Sequence, residues 1–89
     1  MSFKTNQEIF WAGSFGDNYI KRNQKEDMLA SNINFFSKSL SRCLNVNSCL
    51  ELGSNIGMNL VALKSLFPKI DVCGIEINPK AHFILEKTI

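Results

Sequence analysis

Residues 49–57, Cys-Leu-Glu-Leu-Gly-Ser-Asn-Ile-Gly, bring together groups that can hold a ligand: the carboxylate of Glu51 and a turn with glycines at Gly53 and Gly57. A second carboxylate, Glu76, ends the apolar run Val72-Cys73-Gly74-Ile75. A loop glycine lets the backbone approach a ligand with no Cβ in the way. The helix expected after Gly57 opens with backbone N–H groups that have no partner inside the helix. An acid at the tip of the next parallel strand can accept hydrogen bonds from a ribose diol. Together these parts describe a pocket for an adenosine-containing cofactor.

The glycine spacing narrows the choice of cofactor. A dinucleotide site requires G-x-G-x-x-G, because the pyrophosphate sits on the helix N-terminus. The pattern here is Glu51-x-Gly53-x-Asn55-x-Gly57, with Asn55 where a middle glycine would stand. A Walker loop ends in Gly-Lys-Ser/Thr, and Gly57 is followed by Met58-Asn59. A phosphate-binding reading, such as an NAD or nucleotide-sugar enzyme on the same strand–helix–strand unit, loses support on both counts.

The E-x-G-x-x-x-G form resembles motif I of the class I S-adenosylmethionine-dependent methyltransferases. Glu76 then matches their motif II acid, which holds the ribose hydroxyls. These enzymes more often carry the middle glycine, so Asn55 departs from the pattern. The segment Phe10-Trp11-Ala12-Gly13-Ser14-Phe15-Gly16-Asp17-Asn18-Tyr19-Ile20-Lys21-Arg22-Asn23 is too aromatic and too glycine-punctuated for an ordinary linker. Taken with Leu50–Gly57 and with Gly74-Ile75-Glu76-Ile77-Asn78-Pro79-Lys80-Ala81, it resembles the methylases associated with pseudaminic acid biosynthesis, from about Gln7 to Glu86. The resemblance implies an α/β, Rossmann-like class I methyltransferase fold, and a bacterial enzyme tied to nonulosonic-sugar or flagellin glycan biosynthesis.

It also implies roles for individual residues. The loop Gly53-Ser54-Asn55-Ile56-Gly57 would lie under the methionine moiety of S-adenosylmethionine. Glu51 would orient the loop and the cofactor's amino group, directly or through water. Glu76 would accept from both ribose hydroxyls, and Ile77 would line the adenine ring. Trp11, Tyr19 and Arg22 would fold over the cofactor, Arg22 facing its carboxylate. Packing of Trp11 and Tyr19 against the sheet is an equally good reading of those aromatics. Glu51 as a strand-end surface acid and Glu76 as a helix cap also remain open. Methyl transfer from a sulfonium asks the protein mainly to position donor and acceptor, and no catalytic residue is assigned.

Composition bounds the function classes. The chain has 89 residues, 45% hydrophobic and 20% charged, with a net charge of +2, which fits one small globular domain with a limited core. Its basic residues are interleaved with acids (Lys21-Arg22 and Lys25 beside Glu26-Asp27), unlike the clustered basic face of a nucleic-acid binder. No apolar run approaches the ~20 residues a membrane span needs, and the first residues lack a signal-peptide core. Expected partners are therefore a small-molecule or sugar-derived methyl acceptor, with no nucleic acid and no membrane. Cys43, Cys49 and Cys73 read as small buried hydrophobes in a reducing cytoplasm. They lack the paired Cys-x-x-Cys spacing of a metal site, so no metal is expected. His82, beside Phe83 on a helical stretch, reads as a surface or boundary residue.

The elements that must position the acids can be traced along the chain. Thr5 or Asn6 caps a short helix to Ala12, Gly13 and Gly16 break it, and Asp17 caps a second turn through Arg22. Glu26 to Leu44 reads as a helix whose Leu29, Ile33, Phe36, Leu40 and Leu44 share one face, with Asn32 largely elsewhere. A second helix, Gly57 to Phe67, is apolar on most sides and stops at Pro68. Ile70 to Ile77 is a near-continuous apolar strand, as in a parallel sheet covered on both faces. Asn78 and Pro79 open a last helix, with Ala81, Ile84, Leu85 and Thr88 on one face.

The organisation expected is a helical segment, 1–46, covering the cofactor site, and 47–89 as the first half of the S-adenosylmethionine-binding domain, running strand–helix–strand–helix. Two strands cannot cover their own faces or edges. The expectation is thus an incomplete sheet, the N-terminal part of a longer protein or a truncated product without catalysis. The rest of its chain or an oligomer partner would be needed to complete it.

Overall fold

The computed structural model describes residues 5–23 and 26–89; of residues 19, 21–23, 26 and 27 it describes the backbone alone. Its elements are α1 (Asn6–Ala12), α2 (Ser14–Asn23), α3 (Glu26–Ser39), β1 (Ser48–Leu52), α4 (Met58–Leu66), β2 (Asp71–Ile75) and α5 (Pro79–Thr88). The two strands pair in parallel, with Ser48 opposite Asp71 and Leu52 opposite Ile75. The fold is mixed α/β, with a helix between the strands and a helix after the second.

Local chemistry sets most boundaries. Thr5 caps α1, its hydroxyl accepting from the Glu8 N–H at 3.1 Å, and the Gly13 N–H closes the helix on the Ile9 carbonyl at 2.9 Å. Asn78 caps α5 by accepting from the Ala81 N–H at 3.0 Å, and Pro79 follows at the first helical position, where its missing N–H costs nothing. Two boundaries differ from expectation. Helix α2 starts at Ser14, so Asp17 lies inside its first turn and caps nothing. Helix α3 ends at Ser39 rather than Leu44. Ser37 and Ser39 turn their hydroxyls back onto the carbonyls of Asn34 and Phe35, both at 2.8 Å, a pattern that weakens helices. Leu44 lies beyond any packing surface, 93% exposed.

The core forms on one face of the sheet. Leu60, Leu63, Ile70 and Leu85 are buried there, with Phe36, Leu40, Val46, Cys49, Phe67 and Val72 packed against them. Helices α3, α4 and α5 all contribute. A smaller cluster joins Ile20 of α2 to Ile56 and Ala81 and seats α2 over the start of α5.

The strands were expected to be buried on both faces. In each of them, burial instead alternates residue by residue. Cys49, Glu51, Val72 and Gly74 face the helices; Leu50, Leu52, Cys73 and Ile75 lie on the opposite face and are exposed, Leu52 by 74%. Side chains alternate across a strand, and all the helices of the core lie on one side. The cysteines follow from this geometry. Cys73 sits on the open face and Cys43 in a surface turn, both exposed, and Cys49 alone is partly buried. The reading of all three as buried is corrected accordingly. Among the described residues, no helix is long and apolar enough to cross a membrane.

Candidate functional site

The loop after β1 is pinned across the tip of β2. The N–H groups of Gly53 and Ser54 both donate to the Ile75 carbonyl, at 2.8 and 3.0 Å, and the Gly57 N–H donates to the Ser54 carbonyl at 3.0 Å. Ser54 turns inward, is buried, and donates its hydroxyl to the Glu51 carbonyl at 2.9 Å. Gly74 makes room for it, since a Cβ there would lie 2.9 Å from the Ser54 Cβ.

Between β1 and α4 the backbone enters the left-handed region three times, at Gly53 (φ +73°), Asn55 (φ +53°) and Gly57 (φ +91°). Asn55, which departs from the methyltransferase pattern, adopts a conformation that most L-residues avoid and Asn tolerates. Its side-chain Oδ1 accepts from the Ile56 N–H at 2.9 Å, which holds the turn. A Cβ added at Gly53 would meet nothing within 4 Å, so the loop's outer surface there is open.

Glu76, just past β2, ties this loop to the next one. Its Oε1 accepts from the Asn55 N–H at 2.7 Å and its Oε2 from the Asn78 N–H at 2.8 Å. A carboxylate has about four lone-pair sites, so each oxygen keeps capacity for a further donor. Glu51, on the inner face of β1, is held differently. Its Oε2 accepts from the Asn59 side-chain amide at 2.7 Å. Its Oε1 is buried and accepts no hydrogen bond among the described residues. An unmet buried acceptor costs about 1–3 kcal/mol, more when charged.

Two clefts open beside the loop and share Gly53 and Asn55. One, of about 290 Å³, is lined by Trp11, Gly16, Gly53, Asn55, Glu76, Ile77 and Asn78. The other, of about 220 Å³, is lined by Met28, Asn32, Gly53, Ser54, Asn55, Ile56, Met58 and Asn59. The first is lined by Trp11, whose ring packs edge-on against Phe10 and Phe15, by Ile77 and by the acid Glu76. The second is walled by three side-chain amides and two thioethers. Neither has a Lys or Arg among its described lining residues.

The N-terminal helices are fastened to the rim of the first cleft by Asn78. Its side-chain amide lies 2.9 Å from the Trp11 carbonyl, 3.2 Å from the Ala12 carbonyl and 2.9 Å from Asp17 Oδ1. Lys80 pairs with the other oxygen of Asp17 at 3.3 Å. The Asn78 hydrogen bond, helped by Lys80, holds the Asp17 carboxyl below its ordinary range.

Of the residues singled out in the sequence, Trp11, Gly53, Asn55, Glu76 and Ile77 meet around the first cleft. Ser54 reaches the second through its backbone, its hydroxyl being turned away. Glu51 lies outside both linings, its carboxylate joined to α4 through Asn59, and Gly57 precedes that helix. The side chains of Tyr19 and Arg22 lie outside the described residues. Asn32, Asn59, Met28 and Gly16 join the site without having been singled out for it. Met28 and Asn32 are one helical turn apart and line the smaller cleft together, Asn32 lying off the apolar stripe of α3 as its spacing implies. The pairing of Glu51 with Asn59 has no signature at the level of sequence spacing.

No protein-family model matches the chain, and no curated protein or solved structure does so either.

Proposed function

We propose that this chain is the cofactor-binding part of an S-adenosylmethionine-dependent methyltransferase, on a Rossmann-like fold. The observation that carries the reading is the pair of clefts meeting at Gly53 and Asn55, one lined by Trp11, Ile77 and the acid Glu76 and the other by three asparagines. An elongated ligand with a nucleoside at one end and an amino acid at the other matches that division. Trp11 and Ile77 offer apolar surface for adenine. Glu76 retains acceptor capacity for the ribose diol, as an acid at a strand tip does in related architectures. Asn32, Asn55 and Asn59 line the amino-acid end. Glu51 lines neither cleft; its Oε2 holds the Asn59 amide, which lines the smaller one, and so orients that group toward the ligand.

The same features disfavour a dinucleotide. Among the described residues, neither cleft presents a basic side chain, and the loop lacks the G-x-G-x-x-G spacing that seats a pyrophosphate. When bound, the sulfonium supplies a methyl group and leaves as a neutral thioether. The residues named here bind and orient the ligand. The acceptor proposed is a small molecule or sugar derivative of nonulosonic-sugar or flagellin glycan biosynthesis, and the free thiols of Cys43, Cys49 and Cys73 suit the reducing cytoplasm.

Calorimetry with S-adenosylmethionine, S-adenosylhomocysteine and NAD tests the reading. Both sulfur ligands are expected to bind more tightly than NAD. Tighter binding of NAD, or binding of neither sulfur ligand, overturns it.

A further inference from the structure

We propose that Asn78 is a positioning residue of the site, whose side-chain amide holds the Trp11 backbone at the rim of the larger cleft while its backbone N–H holds Glu76. Capping α5 needs only an acceptor at this position, and Asp, Ser or Thr would serve as well. The amide nitrogen is required for something else. Asn78 is 1% exposed, and its two N–H groups are shared among the carbonyls of Trp11 and Ala12 and the Asp17 carboxylate. The two carbonyls belong to the last turn of α1, where helix carbonyls have no partner within the helix. The backbone N–H of the same residue donates to Glu76 Oε2. One buried residue thus joins the end of α1, the start of α2, the cap of α5 and, through its backbone N–H, the acid of the cleft.

The packing leaves no slack in this junction. A Cβ at Gly16 would collide with the Trp11 carbonyl and lie 2.7 Å from Asn78 Nδ2. Other fastenings of α1 and α2 to the sheet domain include the Lys80–Asp17 ion pair and the packing of Ile20 on Ile56 and Ala81. Loss of the amide should release Trp11 from the cleft while α5 keeps its cap. The part of the proposal that concerns ligand affinity rests on the cofactor reading above; the part that concerns Trp11 does not.

Asn78→Asp is the decisive variant. It keeps the capping oxygen, removes both donors, and places a carboxylate beside Asp17 and two carbonyls. The expected results are an unchanged helical signal in circular dichroism, a red shift in emission of Trp11, the chain's single tryptophan, faster proteolysis between residues 13 and 25, and at least a tenfold rise in the Kd for S-adenosylhomocysteine. Adding Asp17→Asn restores a donor–acceptor pair of reversed polarity and should recover part of each change. Unchanged emission and proteolysis in Asn78→Asp overturn the proposal. So does a global loss of helix signal that the double variant does not repair. A wild-type chain that binds no S-adenosylhomocysteine, with the emission shift still present in Asn78→Asp, overturns the cofactor reading and upholds the positioning of Trp11.

Discussion

Glu76 Oε1 lies 2.7 Å from the backbone nitrogen of Asn55, 21 residues earlier in the chain. That bond fastens the tip of β2 to the middle of the glycine loop, and through Oε2 the same carboxylate holds the start of α5. The residue proposed to receive a ribose therefore also fixes the shape of the cleft that it lines.

Glu76→Gln should in consequence affect both stability and binding. The Gln amide can present only one oxygen, so its nitrogen must face a backbone N–H. Losing one hydrogen bond to a charged acceptor costs roughly 1.5–3 kcal/mol. A fall in Tm and at least tenfold weaker binding of S-adenosylhomocysteine are expected, read by thermal melts and calorimetry. A variant with native Tm and native affinity would remove Glu76 from the site.

Asn55 offers a test of backbone conformation. At φ +53° glycine is at ease and alanine is strained by about 1–2 kcal/mol. Asn55→Gly should fold with affinity within a few-fold of the wild type, whereas Asn55→Ala should lose stability by about that amount. Equal melting temperatures for the two variants would show that the left-handed turn is not what Asn55 supplies.

The Asp17–Asn78 junction should depend on pH in one direction. The Asp17 carboxyl titrates below its ordinary value because the Asn78 amide, and then Lys80, favour the charged form. A depressed folded-state pKa adds stability that is present above the unfolded value of about 3.9 and lost as pH falls through the lower folded value. Trp11 emission should thus hold steady from neutral pH down to about pH 4 and shift below it. Asp17→Asn should abolish that acid step. A step of equal size in the variant would assign it to another carboxylate.

The outer face of the sheet should drive association. Leu50, Leu52 and Ile75 are exposed side by side on two short strands, and contiguous apolar patches of this kind are covered in stable proteins. Residues 1–89 alone are expected to self-associate or to melt without a sharp transition, and to show no methyl transfer. Replacing Leu50, Leu52 and Ile75 together by Thr, which keeps β-propensity, should lower the sedimentation coefficient. A wild-type monomer with a cooperative thermal transition would refute this expectation.

The amino-acid sequence by itself determined the features governed by near neighbours. Thr5 and Asn78 cap helices because a side-chain oxygen reaches an N–H three residues on. Gly53 and Gly57 turn the chain because they lack a Cβ, and the apolar stripe from Leu29 to Leu40 follows the helical repeat. Both acids stand where the alternation of strands and helices puts them, at the ends of β1 and β2. Tertiary structure decided what depends on distant partners. It left one sheet face bare, turned Ser54 inward over Gly74, and paired Glu51 with Asn59. It also made the Asn78 amide a junction for residues more than sixty positions away. Spacing along a chain constrains the first group directly. The second depends on which surfaces meet when the helices pack, and no local pattern records that.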